Sequence, residues 1–193
     1  MKFPIDAAQL TKVLTACQRH MCDETYRPHI NSIAVRGHEK GVDFVATTGH
    51  RLIVVTLPIA GLPDETHVIP GQSIKRLIAW SKSEGGPVTF RISTRGWVAR
   101  SLSSLTSGRC ADEKYPPYTA VVDGAVNKTT AAYPVVRIDP DFMIAASKSI
   151  RDMGGRRFTN ADWRVGSDAL SPMLVEAATD EWAIRIVIMP RAR

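Results

Sequence analysis

One pattern occurs three times in this chain, and that repeat limits its fold more than any other feature. Phe3-Pro4-Ile5-Asp6 runs into Leu10, Val13 and Leu14. Val68-Ile69-Pro70-Gly71 runs into Ile74, Leu77 and Ile78, and Arg137-Ile138-Asp139-Pro140 into Phe142, Met143 and Ala146. Each copy is a short extended piece, a helix-start residue, and then apolar side chains at i, i+3 and i+4, the stripe of an amphipathic helix. Asp6 and Asp139 can accept from the free amides of a first turn, and Pro140 suits the first helical position, where no amide is needed. The spacing predicts helices over about 6–21, 72–83 and 140–152.

Strand-like runs follow each helix: 30–36, 42–47 and 52–57; 88–93, 97–102 and a weaker 105–110; 163–166, 173–177 and 182–189. Val88-Thr89-Phe90-Arg91-Ile92 alternates as a half-exposed antiparallel strand does. Turns are marked by Gly37, Gly41, Gly85-Gly86-Pro87 and Gly154-Gly155, and a proline closes each unit at Pro58, Pro116 and Pro190. The chain therefore reads as an α+β protein, β-α-β-β-β three times over. Its unit starts lie about 64 and 69 residues apart, within the range of repeat architectures. The expected organisation is a domain over 1–122 built from two units (about 1–61 and 66–122). A polar, Thr-rich linker over 123–132 and a single half-domain over 133–193 follow.

A net charge of +6 favours a polyanionic partner, with nucleic acid first. Basic residues recur on all three predicted helices. Lys12 and Arg19 share a face of the first, Lys75 and Lys82 repeat that spacing on the second beside Arg76, and Lys148 and Arg151 lie on the third, followed by Arg156 and Arg157. Arg27, after the first helix, is a further candidate. Such contacts would read phosphates rather than bases. Trp80, Trp97, Trp163 and Trp182 are not interleaved with these cations and read as core or interface.

Catalysis is not expected. No G-x-x-x-x-G-K-[ST], G-x-S-x-G or H-E-x-x-H occurs. His20, His29, His38, His50 and His67 have no evident carboxylate or cysteine constellation, and Asp43 and Asp64 read as isolated. Cys17, Cys22 and Cys110 supply too few ligands, even with His20, for a zinc site, so neither metal nor cofactor is expected and the thiols suit a reducing compartment. No apolar run of membrane-spanning length and no export signal occur, which makes a cytoplasmic location the expectation.

Thr47-Thr48-Gly49-His50-Arg51-Leu52 resembles the T-D-G-H-R-L signature of bacterial DNA polymerase III β sliding clamps. Val187-Ile188-Met189-Pro190-Arg191-Ala192-Arg193 is similar to that family's C-terminal V-V-M-P-M-R-L, and Glu113-Lys114-Tyr115-Pro116-Pro117-Tyr118 to its G-x-F-P-D-Y segment. The resemblance implies the DNA-clamp fold, with helices lining a ring channel around double-stranded DNA and antiparallel sheets outside. It covers that family's middle domain and the last half of its third, so a first domain and a further half-domain have no counterpart here.

The resemblance also implies a processivity factor whose hydrophobic groove takes short motifs of DNA polymerase and other clamp-binding proteins, with a clamp loader among its partners. Carried over, that groove comprises Ile30, Thr47, Gly49, His50, Arg51, Leu52, Pro172, Val187, Ile188, Met189, Pro190 and Arg191. Taken without the resemblance, Gly49-His50 is a hairpin turn and Met189 core. Thr48 replaces the family's Asp, and Arg191-Ala192-Arg193 lacks its apolar ending. Rings of that family hold twelve such units, so a chain of three implies a homotetrameric ring, with trimer and dimer as smaller rivals. The family is usually acidic, so the basic charge suggests stronger direct attraction to DNA and less dependence on a loader. The compact size suits a phage or plasmid as well as a chromosome. The competing reading is a clamp mimic that binds host replication proteins without encircling DNA.

Overall fold

The structure is a computed structural model that describes residues 1–128, 138–154, 161–165 and 171–189. The first unit comprises β1 (Lys2–Asp6), α1 (Ala7–Gln18), β2 (Ser32–His38), β3 (Gly41–Thr47) and β4 (Arg51–Leu57). The second comprises β5 (Thr66–Pro70), α2 (Gly71–Ser83), β6 (Pro87–Ser93), β7 (Gly96–Arg100) and β8 (Leu105–Gly108). A helix α3 (Tyr118–Lys128) precedes the third, which contributes α4 (Pro140–Gly154), β9 (Asp162–Arg164), β10 (Met173–Ala178) and β11 (Ala183–Ile188). The helix starts have the expected chemistry. The Asp6 carboxylate accepts from the amides of Ala8 and Gln9 at 2.8 and 3.3 Å, and the Asp139 carboxylate from that of Asp141 at 3.0 Å.

Among the described residues two antiparallel sheets form, in the orders β1-β6-β7-β8 and β5-β2-β3-β4-β11-β10-β9. The first two units exchange their leading strands. β1 pairs with β6 of the second unit, Phe3 opposite Phe90, while β5 pairs with β2 of the first, Ile69 opposite Ile33. The third unit joins the first edge to edge, β4 against β11 from Arg51↔Ile188 to Thr56↔Ala183.

One core runs beneath both sheets. Leu10, Val13 and Leu14 of α1, Ile74 and Leu77 of α2, and Ala146 of α4 pack with Phe44, Ile53, Phe90 and Ile186. Full burial of each large side chain contributes roughly 1.5–3 kcal/mol. The helices lie in a row, with α1 between α2 and α4. On the α2 side the Thr11 hydroxyl donates to Ser81 Oγ at 2.7 Å, and on the α4 side His20 Nε2 lies 3.2 Å from Ser149 Oγ.

The other face of the long sheet is covered too, which explains why Arg51–Leu57 is apolar almost throughout rather than alternating. Tyr115, Tyr118 and Val122 pack on Val45, Leu52 and Val54, and Ala125 on Leu174 and Val187. Helix α3 runs through Asp123–Lys128, the start of the stretch read as a linker; residues 129–132 lie outside the described residues. The strands expected at 97–102 and 105–110 end earlier, at Arg100 and Gly108.

Two aspartates read as isolated are not. Asp64 takes two hydrogen bonds from the Arg36 guanidinium, at 2.9 and 3.1 Å, which holds its carboxyl below the usual range. Asp43 accepts from Thr56 at 2.7 Å and from the Tyr118 hydroxyl at 2.8 Å, and so anchors α3 to the sheet. Two histidines also have carboxylate neighbours, His38 with Asp43 at 3.3 Å and His67 with Glu65 at 3.1 Å.

Candidate DNA-facing surface and peptide groove

The two signature runs meet in space. Between β3 and β4 the chain reverses at Thr48-Gly49-His50, where Gly49 has φ 90°, a left-handed conformation suited to glycine. The Thr47 hydroxyl locks the turn by donating to the Arg51 carbonyl at 2.8 Å and accepting from the Gly49 amide at 2.9 Å. β11 then runs alongside, and the Met189 amide donates to the His50 carbonyl at 3.0 Å. Residues far apart in sequence therefore become cross-strand neighbours, Leu52 opposite Val187 and Arg51 opposite Ile188.

Alternation divides the candidates between two faces. Leu52 and Val187 point outward, under α3, and are 6% and 1% exposed. Ile188 belongs to the core on the helix side. Arg51 sits on that side as well, its guanidinium 5.1 Å from the centroid of the Phe142 ring of α4. Burial lowers the Arg51 pKa, partly offset by Asp139, Asp141 and Asp23. Arg51 thus braces the junction of the first and third units. Gly49, His50 and Met189 are exposed, while Ile30 and Thr47 are buried and Pro172 is partly so. Pro190 and Arg191 lie outside the described residues. Of the candidate groove residues, Leu52 and Val187 are thus covered by Val122 and Ala125 of α3, while Met189 stays exposed beside Gly49 and His50. Sequence reasoning does not single out Ala125 and Val122, although Tyr118, Val122 and Ala125 already have helical spacing.

On the opposite side, the helix row exposes Lys12, Lys75, Lys82, Lys148 and Arg151, which form no ion pair among the described residues. Three other candidates are held by the protein. Arg19 is ion-paired with Asp152 across α1 and α4. Arg76 donates to the Ser107 carbonyl at 2.8 Å and lies over the Trp97 ring, and Arg27 pairs with Glu24 at 3.2 Å. Arg156 and Arg157 lie outside the described residues. Of the tryptophans, Trp97 and Trp182 are buried, Trp80 donates to Ser104 at 2.8 Å, and Trp163 is partly exposed.

Among the described residues no His/Cys/Asp/Glu group is arranged to hold a metal ion, and no helix is long and apolar enough to cross a membrane. Cys17 is fully buried and burial pushes its thiol pKa up strongly; burial raises that of Cys110 to about 11.

The solved DNA polymerase sliding clamp of Pseudomonas aeruginosa superposes on all of this chain with a TM-score of 0.78 at 16% identity, over 67% of its own length. The chain has the fold of a bacterial β sliding clamp. The DNA polymerase III β subunit of Thermotoga maritima agrees, with a TM-score of 0.78 at 14% identity over 100% of this chain and 66% of that one. In sequence the chain resembles the β sliding clamp of Escherichia coli K12, 23% identical over 123 residues that make up 63% of this chain and 34% of that protein. The clamp of Salmonella typhimurium is 22% identical over a span of the same length. The match thus spans about a third of the length of these curated proteins. No protein-family profile matches the chain.

Proposed function

We propose that this chain is a DNA sliding clamp, a non-enzymatic processivity factor that encircles duplex DNA and tethers polymerase and other partners. The observation that carries the reading is the row α2-α1-α4, whose face away from the sheets bears Lys12, Lys75, Lys82, Lys148 and Arg151. Several like charges on one shallow helical surface attract a phosphate backbone without reading sequence. Three units are a quarter of a twelve-unit ring, so the proposed ring is a homotetramer. The exposed surface around Met189, Gly49 and His50 is where clamp-binding peptides dock, a use supported by its likeness in sequence to the clamp signatures. A role on the chromosome, or on a phage or plasmid, places the protein in the bacterial cytoplasm.

Topology is the test. The protein is incubated with nicked circular plasmid, washed in high salt, and the plasmid is then cut once. A clamp stays on the circle through the wash and leaves on cutting. Equal retention on cut and uncut DNA would show simple adhesion and remove the reading. The basic charge supports loading without ATP; retention only after a loader and ATP are added would remove that part alone.

A further inference from the structure

The units contact one another in two ways, and each has twofold character. In strand exchange, β1 crosses to the second unit and β5 crosses back to the first. In the edge contact, the last strands of the first and third units meet antiparallel. Aligned on their closing prolines, Pro58 and Pro190, the units make Ile184 the counterpart of Leu52 and Val187 the counterpart of Val55. The register pairs Leu52 with Val187 and Val55 with Ile184, so each position meets the other's counterpart. The helices repeat the relation. Aligned on the caps Asp6 and Asp139, Ser149 is the counterpart of Ala16, and its hydroxyl donates to the Ala16 carbonyl at 3.5 Å. The same surface of two units is used on both sides of this seam.

Among the described residues, the second and third units each retain one such surface without a partner. The second unit's last strand, β8, is the edge of its sheet. Leu105–Gly108 carries neither charge nor proline, the usual guards of an edge, and Leu102 and Leu105 beside it are 98% and 55% exposed. In the third unit β9 is an edge among the described residues, where its counterpart β2 is covered by β5. Among the described residues, nothing covers α4 at the positions where α1 meets α2. Met143 is 40% exposed although its counterpart Leu10 is fully buried, and Ile144 is 49% exposed although its counterpart Thr11 bonds to Ser81. A head-to-tail contact would join β8 to β9, a last strand to a second strand, a pairing not used among the described residues.

We infer that copies of this chain join through two different self-complementary contacts, β8 on β8 of one neighbour and, through the uncovered side of α4, third unit on third unit of another. Such contacts are isologous, so they alternate and give a ring with dihedral rather than cyclic symmetry. The inference rests on the ring proposed above and specifies how it closes.

Native mass spectrometry and light scattering on the full chain test it. The protein is expected at four chains. Leu102→Glu with Leu105→Glu, at exposed positions, halves the mass to two chains, because like charges then face each other across the axis. Met143→Glu with Ile144→Glu also halves it, and all four changes together give single chains. Mixing the Leu102→Glu/Leu105→Glu chain with the matching Lys double variant restores four chains. A head-to-tail ring has one kind of contact, so either pair of changes alone would give single chains and the mixture no selective rescue; that result overturns the inference. If either pair leaves four chains intact, that contact is wrong. Four chains with both halving steps but no retention on circular DNA would sink the proposed function and leave the contacts standing.

Discussion

Acid should loosen the joint between the first and third units, through His20. This residue is fully buried between α1 and α4, with Nε2 3.2 Å from Ser149 Oγ and no hydrogen-bond partner at Nδ1. Burial lowers its pKa from 6.5 to about 3; the Arg51 guanidinium and, more weakly, Arg19 act in the same direction, and the nearby Ala145 backbone opposes them. The folded state therefore keeps His20 neutral over a range where the unfolded chain takes up a proton. Above the unfolded value neither state is charged and pH has no effect through this group. As pH falls below about 6.5, stability drops by about 1.4 kcal/mol per pH unit until the folded pKa is reached. Between about pH 7 and about pH 5 the loss comes to about 2 kcal/mol.

Urea unfolding at both pH values, at fixed protein concentration, measures it. With a slope of about 2 kcal/mol per molar, the midpoint should fall by about 1 M. Carboxylates with lowered pKa, such as Asp64 and Glu65, lose their own contributions at more acid pH. The decisive quantity is therefore the difference from His20→Gln, which cannot take up this proton. The variant should lack the component of about 2 kcal/mol, whatever its stability at neutral pH. Equal pH dependence in protein and variant would refute the account.

Two further outcomes are expected. Charge reversal at the exposed Lys12, Lys75 and Lys148 should weaken binding uniformly across DNA sequences. Each phosphate that is no longer neutralised should reduce the slope of log affinity against log salt by about 1, read by fluorescence anisotropy; reversal at Arg19, held by Asp152, should instead lower stability. Met189→Glu, at an exposed position beside the turn, should abolish binding of a polymerase-derived clamp-binding peptide while leaving the melting temperature nearly unchanged. Undiminished peptide binding would move the groove elsewhere.

Much of this architecture is visible in the sequence because its signals are local. The cap at Asp6, the stripe Leu10-Val13-Leu14 and the alternation Val88-Phe90-Ile92 each report on a few neighbouring residues, and the helices and strands lie close to where those signals put them. Helix α3 escapes such reading because Asp123 and Gly124 look like linker residues; its stability comes from Tyr118 reaching Asp43 and Ala125 reaching Val187, across long sequence separations. The exchange of β1 and β5 is not legible either. Alternation tells a strand which face to bury but not which neighbour to pair with.

The same limit governs the functional residues. The runs Thr47–Leu52 and Val187–Arg193 resemble clamp signatures by themselves, and the repeat predicts three units of one kind. The folded chain alone divides the candidates by face. It turns Leu52 outward and Arg51 inward, commits Arg19 to Asp152 and Arg76 to Ser107, and leaves Lys12, Lys75 and Lys148 without an ion pair among the described residues. A strand's period sets alternate sides, but which side meets helix, solvent or another unit depends on packing between distant segments, and that packing also decides which edges remain open.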